Sequence, residues 1–198
     1  MAEPLPELLL EDAPAWRAWL QANHGRSRGV RLILAKKGTS EPTRLSYDQA
    51  LEEAICFGWI DGQVGARDGA TYLQRFTPRR ARSAWSKRNV GIAERLLGEG
   101  RIAPAGQEAI DAARTDGRWD VAYAGSASIE MPSDLAQALA AEPAAQANFE
   151  LLTSQNRYAI LYRLHQAKRA ETRARRIAEY VAMLARGETL HPQRRELR

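Results

Sequence analysis

Two strand-like runs, Trp59–Val64 and Thr71–Phe76, flank Arg67-Asp68-Gly69-Ala70. Asp-Gly between such runs predicts a tight hairpin whose two central residues both take positive φ. Gly62 and Gly65 weaken the first arm and predict a bulge or a close backbone contact there. Gly29 opens a third run, Val30-Arg31-Leu32-Ile33-Leu34-Ala35, whose β-branched and leucine content reads as a strand buried on at least one face. The three strands are expected to join in one small antiparallel sheet.

Helical patterns occupy the rest. Ala13–Asn23 places Trp16, Trp19 and Leu20 on one face. Ser46-Tyr47-Asp48-Gln49 has the form of a capping box, opening a helix that buries Tyr47, Ala50, Leu51, Ala54 and Ile55 and ends at Gly58. Beyond Pro78, either Ser83 or Ser86 caps a helix reaching about Leu97, with Trp85, Asn89, Ala93 and Leu96 near one face. Pro104 opens another helix, which Gly117 closes. Residues 124–132 are rich in Gly and Ser and read as a linker. After it come Ser133–Ala141, a short piece from Pro143, Ser154–Lys168 and Glu171–Arg186. Glu171 and Arg175 are spaced to pair along the last helix, which points Ile177, Val181 and Leu184 inward and leaves Arg173, Arg176 and Lys168 on a solvated basic face. The tail from Pro192 is expected to fray. The expected class is α+β: a small antiparallel sheet packed by helices in residues 1–123, a linker, and a helical C-terminal bundle in residues 133–187.

Composition removes several function classes. No apolar run, Leu8–Leu10 included, approaches the ~20 residues of a membrane helix, so no membrane span is expected. The first fourteen residues are acidic and broken by proline, unlike the basic and then apolar start of a secretory signal. Cys56 is the single cysteine among 198 residues, which excludes an internal disulfide and a cysteine zinc cluster. A cytoplasmic location is expected. The formal charge of +5 is unevenly spread: +6 between Gly69 and Ala93, +7 from Arg157 to Arg198, and therefore −8 over the remainder. An acidic body thus carries two basic segments, which sets the choice of partner.

No catalytic signature stands out, and no catalytic residue is assigned. Cys56 lies near a helix C-terminus beside Glu52 and Glu53, where a thiolate is disfavoured, so it reads as structural. His24, His165 and His191 are scattered without metal-ligand spacing, and Gly62-Gln63-Val64-Gly65 interrupts a strand instead of joining a strand to a helix. Neither a metal nor a cofactor is expected. Two features carry sharper hypotheses. Trp59 and Asp61 follow a helix on a strand, and Asp61 needs a partner, for which an arginine of the 75–82 stretch is the best candidate; it is otherwise a pocket acid. Arg75, Arg79, Arg80 and Arg82 run into Ser83, Trp85, Ser86 and Asn89 at a helix start, where guanidinium forks and free amides converge as in an anion site. Trp85 adds a flat surface on which a base or an arginine can stack. The alternative is a solvated loop whose arginines pair with the acidic body.

The motifs Cys56-Phe57-Gly58-Trp59-Ile60-Asp61-Gly62, Arg75-Phe76-Thr77-Pro78-Arg79-Arg80 with Ser83, Trp85, Ser86 and Asn89, and Ala167-Lys168-Arg169 with Glu171-Thr172-Arg173 and Arg176-Ile177 resemble the YdeI/OmpD-associated family, also called bacteriocin-protection proteins. The resemblance extends over nearly the whole chain. It implies a bacterial role in tolerating bacteriocins or cationic antimicrobial peptides. A protein of net +5 repels such peptides, so protection would run through its acidic body or an indirect cytosolic route. The leading expectation is a non-enzymatic cytoplasmic binding protein of this type. It holds an anionic ligand, nucleic acid or a phosphorylated metabolite, through the arginine loop and helix start. The alternatives are a small-molecule enzyme with a pocket around Asp61 and Trp59, and a protein-interaction module working through the C-terminal helices.

Overall fold

A computed structural model describes residues 4–125 and 129–197; residues 126–128 of the expected linker lie outside them. The chain forms two compact units, Met1–Ala122 and Tyr123–Arg198. The first runs β1 (Glu7–Leu8), α1 (Ala13–Asn23), β2 (Val30–Ala35), α2 (Tyr47–Cys56), β3 (Trp59–Ala66), β4 (Thr71–Pro78), α3 (Lys87–Gly98) and α4 (Pro104–Thr115). The class is α+β.

The sheet has the order β1-β2-β4-β3. The three expected strands pair antiparallel, β2 with β4 and β4 with β3. The short β1 adds a parallel edge to β2, so the sheet is mixed where a purely antiparallel one was expected. Two residues between prolines carry no periodic signal, which is why β1 escapes the sequence. The β3–β4 turn also differs from expectation. No described non-glycine residue has positive φ, and Gly69 does not either. Instead the Asp68 carboxylate closes the loop, accepting from the Ala70 amide at 2.9 Å and the Thr71 amide at 2.7 Å. The side chain satisfies the amides that a primed turn would have organised through its backbone. The bulge is present: register shifts between Asp61 and Val64, one extra residue sits in β3, and Gln74 Nε2 donates to the exposed Gly62 carbonyl at 2.8 Å.

Strand alternation decides the core. Val30, Leu32 and Leu34 of β2, Phe76 of β4 and Trp59 of β3 pack with Trp16 and Leu20 of α1 and with Leu51, Ala54 and Ile55 of α2. The capping box of α2 forms as read, Ser46 Oγ accepting from the Gln49 amide and Gln49 Oε1 from the Ser46 amide. Gly58, at φ +71°, turns the chain out of α2. Where α4 crosses the end of α2, a Cβ on Gly106 would lie 2.2 Å from the Cys56 carbonyl oxygen, so only glycine fits. Glu53, 6% exposed, sits between Arg17 at 2.6 Å and Arg101 at 2.7 Å. Arg101 and Arg95 both also reach Glu52 and Glu99, so this part of the acidic body is neutralised within the first unit.

In the second unit α5 (Ser133–Ala140), α6 (Pro143–Glu150), α7 (Ser154–His165) and α8 (Ala170–Ala185) bury Leu135, Leu139, Phe149, Ile160, Leu164 and Leu184. Its basic helix departs from expectation. Arg173 is drawn in, pairing with Asp134 at 2.5 Å and donating to the Leu164 carbonyl, and Arg176 donates to the Arg163 carbonyl. Arg175 pairs with Glu179 instead of Glu171. The tail does not fray at once: buried Asn156 exchanges hydrogen bonds with His191, and its Nδ2 donates to Gln193 Oε1 at 3.0 Å.

Candidate functional site

The face of the sheet opposite Val30, Leu32 and Leu34 carries Arg31 and Ile33 on β2, and Leu73 and Arg75 on β4. Register places Arg31 directly across from Arg75, and Ile33 across from Leu73. Like charges directly opposite in an antiparallel pair are unfavourable. Glu7, in register with Arg31 on the other side, relieves one of them at 3.3 Å. Arg75 is exposed and makes no ion pair among the described residues. β3 roofs neither side chain heavily. A Cβ on Gly62 would meet the Arg75 stem at 3.4 Å, and one on Gly65 would come within 3.8 Å of an Arg31 nitrogen. The result is a groove of about 620 Å³ that gathers Arg28, Arg31, Arg75 and Arg80 beside Leu5, Val64 and Leu73.

The other expected site residues divide into two groups. The first belongs to the core. Trp59 is 1% exposed, edge-on to Trp16 and Trp19. Asp61 is half-buried, and its partner is Tyr47 of α2, whose hydroxyl donates to Oδ2 at 3.0 Å. That replaces the expected arginine of the 75–82 stretch: before the bulge, Asp61 stands across from Phe76 on the helix-covered face, away from Arg75. Burial, and then the Asp61 charge, push the Tyr47 phenol up to about 12. Arg88 lies over the Tyr47 ring at 5.2 Å and pairs with Asp48 at 2.7 Å.

The second group surrounds Trp85. Trp85 is 1% exposed and tilted against Trp119, and the Arg79 guanidinium carbon lies 3.6 Å from its ring centroid. An arginine stacks on Trp85, as one of the two expectations had it. Arg79 Nη1 also donates to the Ala84 carbonyl at 3.2 Å. Of the two candidate caps, Ser86 starts α3, its hydroxyl accepting from the Asn89 amide at 3.1 Å, and Asn89 is buried. Ser83 instead belongs to a turn, its hydroxyl accepting from the Arg80 amide and its carbonyl from Arg118. The helix start therefore stands at Lys87, beyond the Ser83–Trp85 stretch expected to supply free amides. Arg82 is exposed in that turn.

Arg75 and Arg80 are thus brought together, while Arg79 and Trp85 pack with each other. The sequence reading missed Arg28 and Arg31. Arg31 had a signal: it is the polar member of an alternating strand, and pairing β2 with β4 sets it against Arg75. Cys56 is fully buried, and burial, then the Glu53 charge, push its thiol up. Among the described residues no cluster of His, Cys, Asp or Glu could hold a metal, and no helix is long and apolar enough to cross a membrane.

The family described as a domain of unknown function, DUF8412, matches residues 8–109. The family described as bacteriocin-protection, YdeI or OmpD-associated matches residues 128–187. The motif at Ala167–Ile177 falls in the second span, whereas those at Cys56–Gly62 and Arg75–Asn89 fall in the first, so the match to the bacteriocin-protection family is shorter than the resemblance suggested. No curated protein and no solved structure matches the chain.

Proposed function

From a chain that belongs to the DUF8412 family through residues 8–109 and carries a segment of the bacteriocin-protection, YdeI or OmpD-associated type at residues 128–187, we propose an anion-binding protein whose site is the arginine groove on the open face of the sheet. One observation carries the reading: Arg31 and Arg75 stand directly opposed across two strands, and Arg75 has no acidic partner among the described residues. Folding alone favours neither feature, whereas an anion between the two guanidiniums offsets their repulsion and accepts from both forks. The ligand classes that suit such a site are nucleic acid and phosphorylated metabolites. We place the protein in the cytoplasm as part of the same proposal, in keeping with a lone buried cysteine that needs no oxidising compartment. Tolerance of bacteriocins or antimicrobial peptides then runs through the bound anion and not through direct capture of a cationic peptide.

The test is a titration of the full chain with inorganic phosphate and with a single-stranded oligonucleotide. Replacing both Arg75 and Arg80 with Ala is expected to weaken binding at least about tenfold, each charge-assisted contact contributing roughly 1.5–3 kcal/mol before solvent competition. Both side chains are exposed, so the fold should keep its unfolding midpoint. Unchanged affinity in the double variant overturns the assignment.

A further inference from the structure

We propose, resting on the reading of this groove as the anion site, that its ligand is a small phosphate monoester with a compact apolar body. The charge count points to a dianion. Arg75 and Arg80 both lack an acidic partner among the described residues, and Glu7 answers Arg31 while also reaching Arg67 at 4.0 Å. A carboxylate brings one negative charge and two oxygens in a plane, which one guanidinium fork already fills. A phosphate monoester brings nearly two charges and three terminal oxygens, enough to accept from two forks at once. Arg31 and Arg75 supply those two forks from facing positions, on strands ~5 Å apart.

The remaining surface selects what is attached to the phosphate. Leu5, half-buried, and the edge of Leu73 give the groove an apolar side against which a compact apolar body can lie. The groove's volume of about 620 Å³ lies within the range of small-molecule sites, roughly 300–1,000 Å³. None of the described residues lining it is aromatic, so they supply no stacking platform for successive bases of a single strand. Gly62 and Gly65 keep the floor low enough for the phosphate to reach both arginine heads.

Calorimetry on the full chain with phenyl phosphate, inorganic phosphate, sulfate, benzoate and a short oligothymidylate separates the alternatives. Phenyl phosphate is expected to bind about tenfold more tightly than inorganic phosphate, from burial of one ring face against the apolar side, and to exceed benzoate by at least that factor. Its affinity should fall about tenfold between pH 7.5 and pH 5, as the second ionisation near pH 6 is reversed. Sulfate, a dianion throughout, should bind equally at both pH values. Leu5→Ser should reduce the advantage of phenyl phosphate over inorganic phosphate. If all the small anions bind alike and Arg75→Ala abolishes their binding, the monoester proposal is overturned while the anion reading survives. Oligothymidylate binding tighter than phenyl phosphate, with a salt slope reporting several neutralised phosphates, overturns it in favour of a nucleic-acid strand. If nothing anionic binds, both readings fail together.

Discussion

The two faces of the first unit's sheet treat polar groups in opposite ways. On the face packed by α1 and α2, Asp61 takes the Tyr47 hydroxyl, and Trp16 directs its Nε1 to the Ala50 carbonyl at 3.1 Å. Burial there makes an unpaired group cost about 1–3 kcal/mol, so partners are enforced. On the other face Arg31 confronts Arg75, and nothing acidic among the described residues answers Arg75. Water screens that repulsion to a few tenths of a kcal/mol, little enough to tolerate. The large aromatic core thus lies on one face, while the other buries only Ile33 and Leu73 beside its uncompensated charge. Substitutions of the first face's core residues should register in unfolding, and those of the second face's exposed arginines in binding.

The largest expected effect is on the covered face. Trp59→Ala removes a fully buried indole that meets Trp16 and Trp19 edge-on, and should cost about 3–5 kcal/mol in urea unfolding. A loss below about 1 kcal/mol would mean that the tryptophan cluster is not the centre of this core.

A smaller effect on the same face appears at high pH. The Tyr47 phenol stands at about 12 when folded, against about 10 in an unfolded chain. Between these values the unfolded chain releases a proton that the folded one retains, so rising pH favours unfolding. The contribution is intact below pH 10 and is lost as pH rises through about 12. Arg88 opposes the shift and Asp61 reinforces it. Tyr47→Phe should therefore give a shallower alkaline decline in the urea midpoint than the parent. Tyr158 in the second unit, also raised to about 12, continues to titrate in both proteins. Parallel declines in parent and variant would show that Tyr47 is exposed in solution.

How much of this is legible in the sequence depends on how local each feature is. The Ser46–Gln49 capping box, the Val30–Ala35 strand and the bulge at Gly62–Gly65 are written in a few adjacent residues, and all three appear in the structure. The Asp68-Gly69 dipeptide misleads because the Asp68 side chain supplies the closure that positive φ would otherwise provide. The arginine loop is legible as a concentration of charge, but the sequence sets its anion site at a helix start and not on the sheet face. Arg79 turns inward because Trp85 lies beneath it, and Arg75 faces Arg31 because β2 pairs with β4 in one register out of several. Both outcomes depend on residues distant in sequence, and a one-residue slip would reverse the faces. Arg173 is similar: the helical wheel shows it pointing outward, while Asp134 on α5 draws it back.

The smallest expected effect tests whether the faces are independent. Asp61 was the acid most able to serve a pocket, yet it stands on the covered side, held by Tyr47, and is not among the residues lining the arginine groove. Asp61→Asn removes its charge with little change in shape, and the amide can still accept from the Tyr47 hydroxyl. Coulomb coupling through the strand is the remaining route to the groove, and salt at physiological strength screens it within about 8 Å. Phosphate affinity should therefore stay within about threefold of the parent, less than ~1 kcal/mol. A larger change would join the two faces electrostatically and return Asp61 to the site. Turnover of a phosphorylated or acyl substrate that vanishes in Asp61→Asn would go further, because a binding groove requires no acid, whereas catalysis requires one within hydrogen-bond reach of the reacting group.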